Sequence, residues 1–197
     1  MYKKHLKLQK FICLLCVVAA VLCFVYSLGI ITDIYESTKG AIRDPEKLDR
    51  TKIPGAEIYY HMQGFNKEFV SRSLTVLLLS CTIFLTNTHA RRKYYISNYV
   101  VIGAYSVVTC AFIGWYHAQI EAFKHQFLTT MDFEAMREYS EMWGTPYVDN
   151  TNLLDFHYWV AGLAIVSVVA LLGNMIWKII LVRNEKKLIK AGDEAAV

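Results

Sequence analysis

Two groups of residues in this chain have the types and spacing that chemistry uses. The first is Arg91, Arg92, Lys93, Tyr94 and Tyr95, with Tyr99 close behind. Guanidinium and ammonium groups neutralise phosphates, and exposed aromatic rings stack on unpaired bases for about 1–3 kcal/mol each. The stretch is therefore a candidate polyanion-binding site. The same cations also satisfy the rule that Lys and Arg collect on the cytoplasmic flanks of membrane spans, where tyrosines sit in the headgroup belt. The second group is His117, Glu121 and His125, spaced by four and four on one face of a helix. Imidazole with carboxylate suits zinc or a similar transition metal, and His61 and His157 are candidates for a fourth ligand. No motif implies a cofactor. Haem is disfavoured because no apolar span carries a histidine in its middle.

The elements that must position these residues are apolar spans. Of the 197 residues, 55% are hydrophobic, and most of them fall in Phe11–Thr32, Val70–Thr86, Tyr99–Tyr116 and Tyr158–Val182. A hydrocarbon core of roughly 30 Å needs about 20 helical residues to cross it, and each segment is near that length. The second is the weakest, since Ser71, Arg72 and Ser73 interrupt its start. Arg72 can snorkel there. The first span is longer than the core of a signal peptide and is followed by no small-x-small cleavage site, so it reads as a permanent anchor.

The fold class expected is all-α: a polytopic membrane protein with four transmembrane helices arranged as two hairpins, a single domain over residues 1–197. The outer loops are 33–69 and 117–157, and the inner turn is 87–98. Lys3, Lys4, Lys7 and Lys10, the central triplet, and Arg183, Lys186, Lys187 and Lys190 then share one side. The positive-inside rule places that side, with both termini, in the cytoplasm of the cell membrane. The outer loops hold fourteen of the seventeen acidic residues, although the first also has six basic ones. All five cysteines fall inside spans, which excludes an extracellular disulfide framework. Cys13 and Cys16 have the spacing of a redox pair, but a small buried thiol is the ordinary reading.

The outer loops read as partly helical. Asp44-Pro45-Glu46 has the form of a helix start, Pro54-Gly55 breaks the chain, and Ile58, Tyr59, Tyr60, Met62 and Phe65 form an aromatic approach to the second span. Beyond the third span, apolar residues recur at Ile120, Phe123, Phe127, Met131, Ala135, Tyr139 and Met142. These steps of three and four predict an amphipathic extension broken near Thr129-Thr130, with Glu121, Asp132, Glu134, Glu138 and Glu141 on its opposite face. Gly144-Thr145-Pro146 ends it. Within the spans, Ser80, Thr82, Ser106, Thr109, Ser167 and Asn174, with Ala161, Gly162 and Ala164, read as helix-packing surfaces. Lys178 lies near enough to the inner end to snorkel. No span contains Asp or Glu, which argues against a proton-relay transporter.

In layout and in its basic-aromatic turn the chain resembles the family of small bacterial four-span membrane proteins that hold the large noncoding OLE RNA at the membrane. Arg91, Arg92 and Lys93 match the family's basic triplet. Ile96 stands where the family has a further basic residue, and Tyr99 falls one residue early. The resemblance implies that the basic inner face tethers a structured RNA. The residues by themselves imply a non-enzymatic protein, since no nucleophile stands near a base and no paired carboxylates lie within the membrane. Its partners would be membrane lipid, a structured RNA, and a second copy or another membrane protein. Two alternatives are a transporter or channel subunit using Asn174 and Thr109, and an accessory or sensor subunit working through the acidic outer layer.

Overall fold

The structure is a computed structural model and describes residues 2–36, 54–55, 57–88, 96–144 and 149–194. Among these residues there is no strand. The helices are α1 (Tyr2–Glu36), α2 (Glu57–Thr88), α3 (Ile96–Thr130), α4 (Phe133–Trp143), α5 (Asn152–Asp155) and α6 (His157–Glu194). Among the described residues four stretches are long and apolar enough to cross a membrane: His5–Ile30, His61–Thr88, Ser97–Thr130 and Asn152–Ile189, the last running through α5 into α6. The chain is an all-α, multi-pass integral membrane protein. The helices outrun the apolar spans because a backbone near hydrocarbon must satisfy its own hydrogen bonds. Between α3 and α4 the chain breaks before Asp132, which caps α4, and α4 ends at Gly144.

Each long helix buries a narrow seam. Along α5 and α6 the buried positions are Leu154, His157, Val160, Ala161, Ala164, Ser167, Val168, Leu171, Asn174 and Lys178. Steps of three and four keep one stripe facing its neighbours, as in coiled-coil packing, and small residues in the stripe let backbones approach. Trp159, Val166, Val169, Ile176 and Ile180 are exposed on the other side. Gly162, expected to pack, is exposed instead, while Ala161 and Ala164 are buried. Thr82 is also exposed and returns its hydroxyl to Leu78 O of its own helix at 2.9 Å.

The chain divides into two compact units. The first comprises Met1–Ala20, Val76–Cys110 and Leu163–Val197. It is held by small and polar side chains in the buried seams. Gln9 Nε2 of α1 donates to Asn87 O of α2 at 2.7 Å, and Lys178 Nζ of α6 donates to Gln9 Oε1 at 3.4 Å. Lys178 does not snorkel: it is fully buried. Its seam position turns it toward α1, where an amide oxygen accepts one of its protons. The His5 ring meets Trp177 edge-on at 5.2 Å. Ser80, Ser106 and Ser167 are buried but bond carbonyls of their own helices at 2.7–2.8 Å, so they bring little bulk and no orphaned hydroxyl to the contact. Cys13 and Cys16 are free, buried thiols, as expected of packing residues.

The second unit comprises Val21–Thr75 and Ala111–Gly162. Its centre is aromatic: Phe69 stacks on Phe65 and Phe112 with centroids at 5.3 and 5.6 Å, and Tyr26 meets Phe69 edge-on at 5.9 Å. Of the approach along α2, Ile58, Met62 and Phe65 are core, while the side chains of Tyr59 and Tyr60 lie outside those described. Ser27 and Ser73 pair across α1 and α2 at 3.1 Å. Arg72 is exposed, lies 3.9 Å over the Trp115 ring and pairs with Glu68 at 2.7 Å. The break expected near Thr130 falls at Met131-Asp132. Asp132 caps α4 by accepting from Glu134 N and Ala135 N, and Gly144 ends that helix at φ +61°. Because the cap restarts the helical phase, the apolar face shifts. Ile120, Phe127 and Met131 are buried as expected, but beyond the break Met136 is buried while Met142 is exposed. The Pro54-Gly55 turn closes on this break, Pro54 O accepting from Asp132 N at 3.0 Å. The helix start at Asp44-Pro45-Glu46 lies outside the described residues.

Candidate functional site

The two candidate sites belong to different units. Arg91, Arg92, Lys93, Tyr94 and Tyr95 lie outside the described residues; Tyr99, in the first turn of α3, is half-buried. Around them the first unit is strongly basic. It contains twelve Lys and Arg against three Asp and Glu, whereas the second contains nine against fourteen. Among its described cations, Lys7, Lys10, Arg183, Lys186 and Lys187 are exposed. The helical continuation of α6 past its apolar part therefore carries charge where a solvated or headgroup environment accepts it.

In the second unit the structure brings His117 and Glu121 together with His157, not with His125. The ligand atoms of these three lie within 4.8 Å of one another. His125 stands outside the group for a geometric reason: eight helical residues separate its Cα from that of His117 by about 12 Å. His157 arrives from the first turn of α6. His117 Nδ1 and His157 Nε2 are 2.8 Å apart, and His157 Nε2 lies 3.6 Å from Glu121 Oε1. Tyr158 donates its hydroxyl proton to the same Glu121 oxygen at 2.6 Å. His117 is exposed, Glu121 is half-exposed and His157 is fully buried, so the group runs from the surface into the interior.

The local backbone explains why His157 is fixed. The one-residue interruption at Phe156, between α5 and α6, turns two carbonyls toward side chains. Leu153 O accepts from Tyr26 Oη at 2.9 Å, and Leu154 O accepts from the same hydroxyl at 3.2 Å and from His157 Nδ1 at 2.6 Å. A carbonyl only accepts, so His157 carries its proton on Nδ1 and presents the Nε2 lone pair to His117 and Glu121. Nearby, Lys124 pairs with Asp155, whose other oxygen accepts from Thr151 Oγ1 at 2.7 Å. That lysine is thereby held by Asp155 beside the cluster.

Tyr26→Phe is expected to cost about 1–2 kcal/mol, since it strips a buried carbonyl of a donor without changing shape. Denaturation of the purified protein in detergent checks it; an unchanged midpoint would show that Leu153 O finds another donor. The sequence alone offers His157 only as a candidate fourth ligand and gives no sign of the roles of Tyr26 and Tyr158. The one available signal was His157 following Asp155 at the mouth of an apolar span. Comparison of the chain with protein-family models, with curated proteins and with solved structures returns no match.

Proposed function

We propose that this multi-pass membrane protein is non-enzymatic and docks a polyanion on its basic unit, in the sharp form a structured RNA held at the cell membrane of a bacterium. In this reading the basic unit and both termini face the cytoplasm. Arg91, Arg92 and Lys93 neutralise phosphates, Tyr94, Tyr95 and Tyr99 stack on bases or anchor in the headgroups, and the basic end of α6 assists. The observation that supports the reading is the partition of charge, twelve cations against three anions in one unit and the reverse tendency in the other. Such an asymmetry suits a surface that meets phosphates.

The test is ultraviolet crosslinking in intact cells, denaturing purification of the tagged protein and sequencing of attached RNA, with a parallel variant in which Arg91, Arg92 and Lys93 are Gln. Enrichment of one structured RNA that the variant loses is the expected result. In filter binding the variant should also lower the slope of log affinity against log salt by about 2, the loss of three phosphate contacts on a single strand. Recovery of background RNA alone would sink the reading and leave the triplet as a topology signal acting on anionic lipid.

A further inference from the structure

We propose that His117 Nδ1, His157 Nε2 and Glu121 form a binding site for a divalent transition-metal ion of the zinc class, with a fourth coordination position open toward the exposed side of His117. This goes beyond polyanion docking and stands or falls separately from it.

His157 Nδ1 donates to Leu154 O, so the Nε2 of the neutral ring is a lone pair. That lone pair faces a carboxylate oxygen at 3.6 Å and the Nδ1 of a second imidazole at 2.8 Å. One proton on His117 Nδ1 lets that nitrogen donate to the His157 lone pair, and the Tyr158 hydroxyl serves the Glu121 oxygen, so hydrogen bonds close the group while His117 keeps that proton. Moving the His117 proton to Nε2 turns its Nδ1 into a lone pair as well, and a cation then meets three converging electron-pair donors in place of that one proton.

The spacing suits a metal. Zinc bonds of about 2.0–2.1 Å at tetrahedral angles set ligand atoms roughly 3.3–3.4 Å apart. The observed 2.8 and 3.6 Å lie on either side of that value, and all three ligand atoms fall within 4.8 Å of one another, so rotations of the exposed His117 and half-exposed Glu121 side chains by roughly an ångström or more would form the site. Two imidazoles and one carboxylate select zinc and its neighbours over calcium or magnesium, which take oxygen ligands.

The supporting contacts are those a metal site uses. A ligating histidine ordinarily donates its other ring N–H to a carbonyl or carboxylate, which fixes its tautomer and orientation. Leu154 O does this for His157, and the Tyr158 hydroxyl does the corresponding work for Glu121 at 2.6 Å. The nearest lysine, Lys124, is engaged by Asp155 and does not neutralise Glu121 by a direct pair. Three protein ligands with a fourth position open is the pattern of zinc sites that keep a water or another ligand on the ion, as opposed to closed structural sites.

The experiment uses the full chain in detergent micelles, purified on a tag without histidines. Zinc chloride is titrated calorimetrically, and cobalt(II) chloride is added separately to read the visible absorption of a tetrahedral complex. One equivalent per chain is expected. His117→Ala and Glu121→Gln each sit where the residue is at least partly exposed, and each should weaken binding more than 100-fold. Tyr158→Phe, which leaves every ligand in place, should weaken it by about 10–100-fold. His125→Ala should bind as the native chain does. Helicity measured by circular dichroism on every variant separates loss of the site from loss of the fold. No binding by the folded native chain, or binding untouched by His117→Ala and Glu121→Gln in folded variants, overturns the proposal and leaves a hydrogen-bonded packing cluster. Loss of binding in His125→Ala overturns it equally, because the ion would then lie elsewhere.

Discussion

Phe69→Ala is expected to lower the stability of the protein by about 3 kcal/mol, near the bottom of the roughly 3–5 kcal/mol that this substitution costs in water-soluble cores. Phe69 is fully buried, and its ring touches those of Tyr26, Phe65, Phe112, Trp115 and Tyr116 at centroid distances of 5.2–6.4 Å. Removing it opens a cavity that five rigid rings cannot refill by rotation. The transfer part of the usual penalty shrinks in a membrane, since lipid tails are as apolar as the core, so the cavity and the lost ring contacts carry most of the effect. The comparison that isolates this cause is Leu78→Ala, at a position 61% exposed on the outside of α2, where about 0.5 kcal/mol or less is expected. Denaturation of both variants in mixed micelles decides the matter. Equal losses would show that Phe69 does not sit in a packed centre.

Gly55→Ala is the second large effect, expected to exceed about 2 kcal/mol. Gly55 has φ +88°, a region where a side chain costs of order 1–3 kcal/mol. An added Cβ would also run into the Thr130 carbonyl and come within 2.7 Å of Met131 Cα. Both obstacles are backbone, and they belong to the break that Asp132 caps, so they yield only by moving the start of α4. The Asp132 amide, bonded to Pro54 O at 3.0 Å, reports the movement: its hydrogen exchange should accelerate in the variant. Gly144→Ala separates the two causes, because Gly144 has φ +61° with nothing near its missing Cβ. It should cost only about 1 kcal/mol. If Gly55→Ala costs no more than Gly144→Ala, the close approach is not a constraint.

The features legible in the sequence were those set by local pattern. Four apolar stretches, the amphipathic extension after Tyr116 and the break near Thr130 follow from patterns among neighbouring residues, which are short-range signals. Partnerships between distant segments were not legible. Periodicity put His117, Glu121 and His125 on one face, but a common ion needs donors within a few ångströms, and only a second helix supplies the third one, His157. Lys178 reads as a snorkelling cation because its charge is near a span end. Its burial depends on Gln9, 169 residues away, which no window along the chain can see. Met136 displaced Met142 in the core because a cap restarts the helical count, and a pattern drawn straight through Asp132 carries the wrong phase.

The interruption at Phe156 also bears on permeation. Broken helices in transporters serve ions by offering unwound carbonyl oxygens as coordinating groups. Here Leu154 O already holds two donors, the Tyr26 hydroxyl and the His157 ring, and Leu153 O holds the Tyr26 hydroxyl as well. A carbonyl has two lone pairs, so a cation could be coordinated by Leu154 O only after displacing the His157 ring or confining the Tyr26 hydroxyl to Leu153 O. Such an interruption is occupied by the protein's own side chains, and it fixes the bearing of one imidazole.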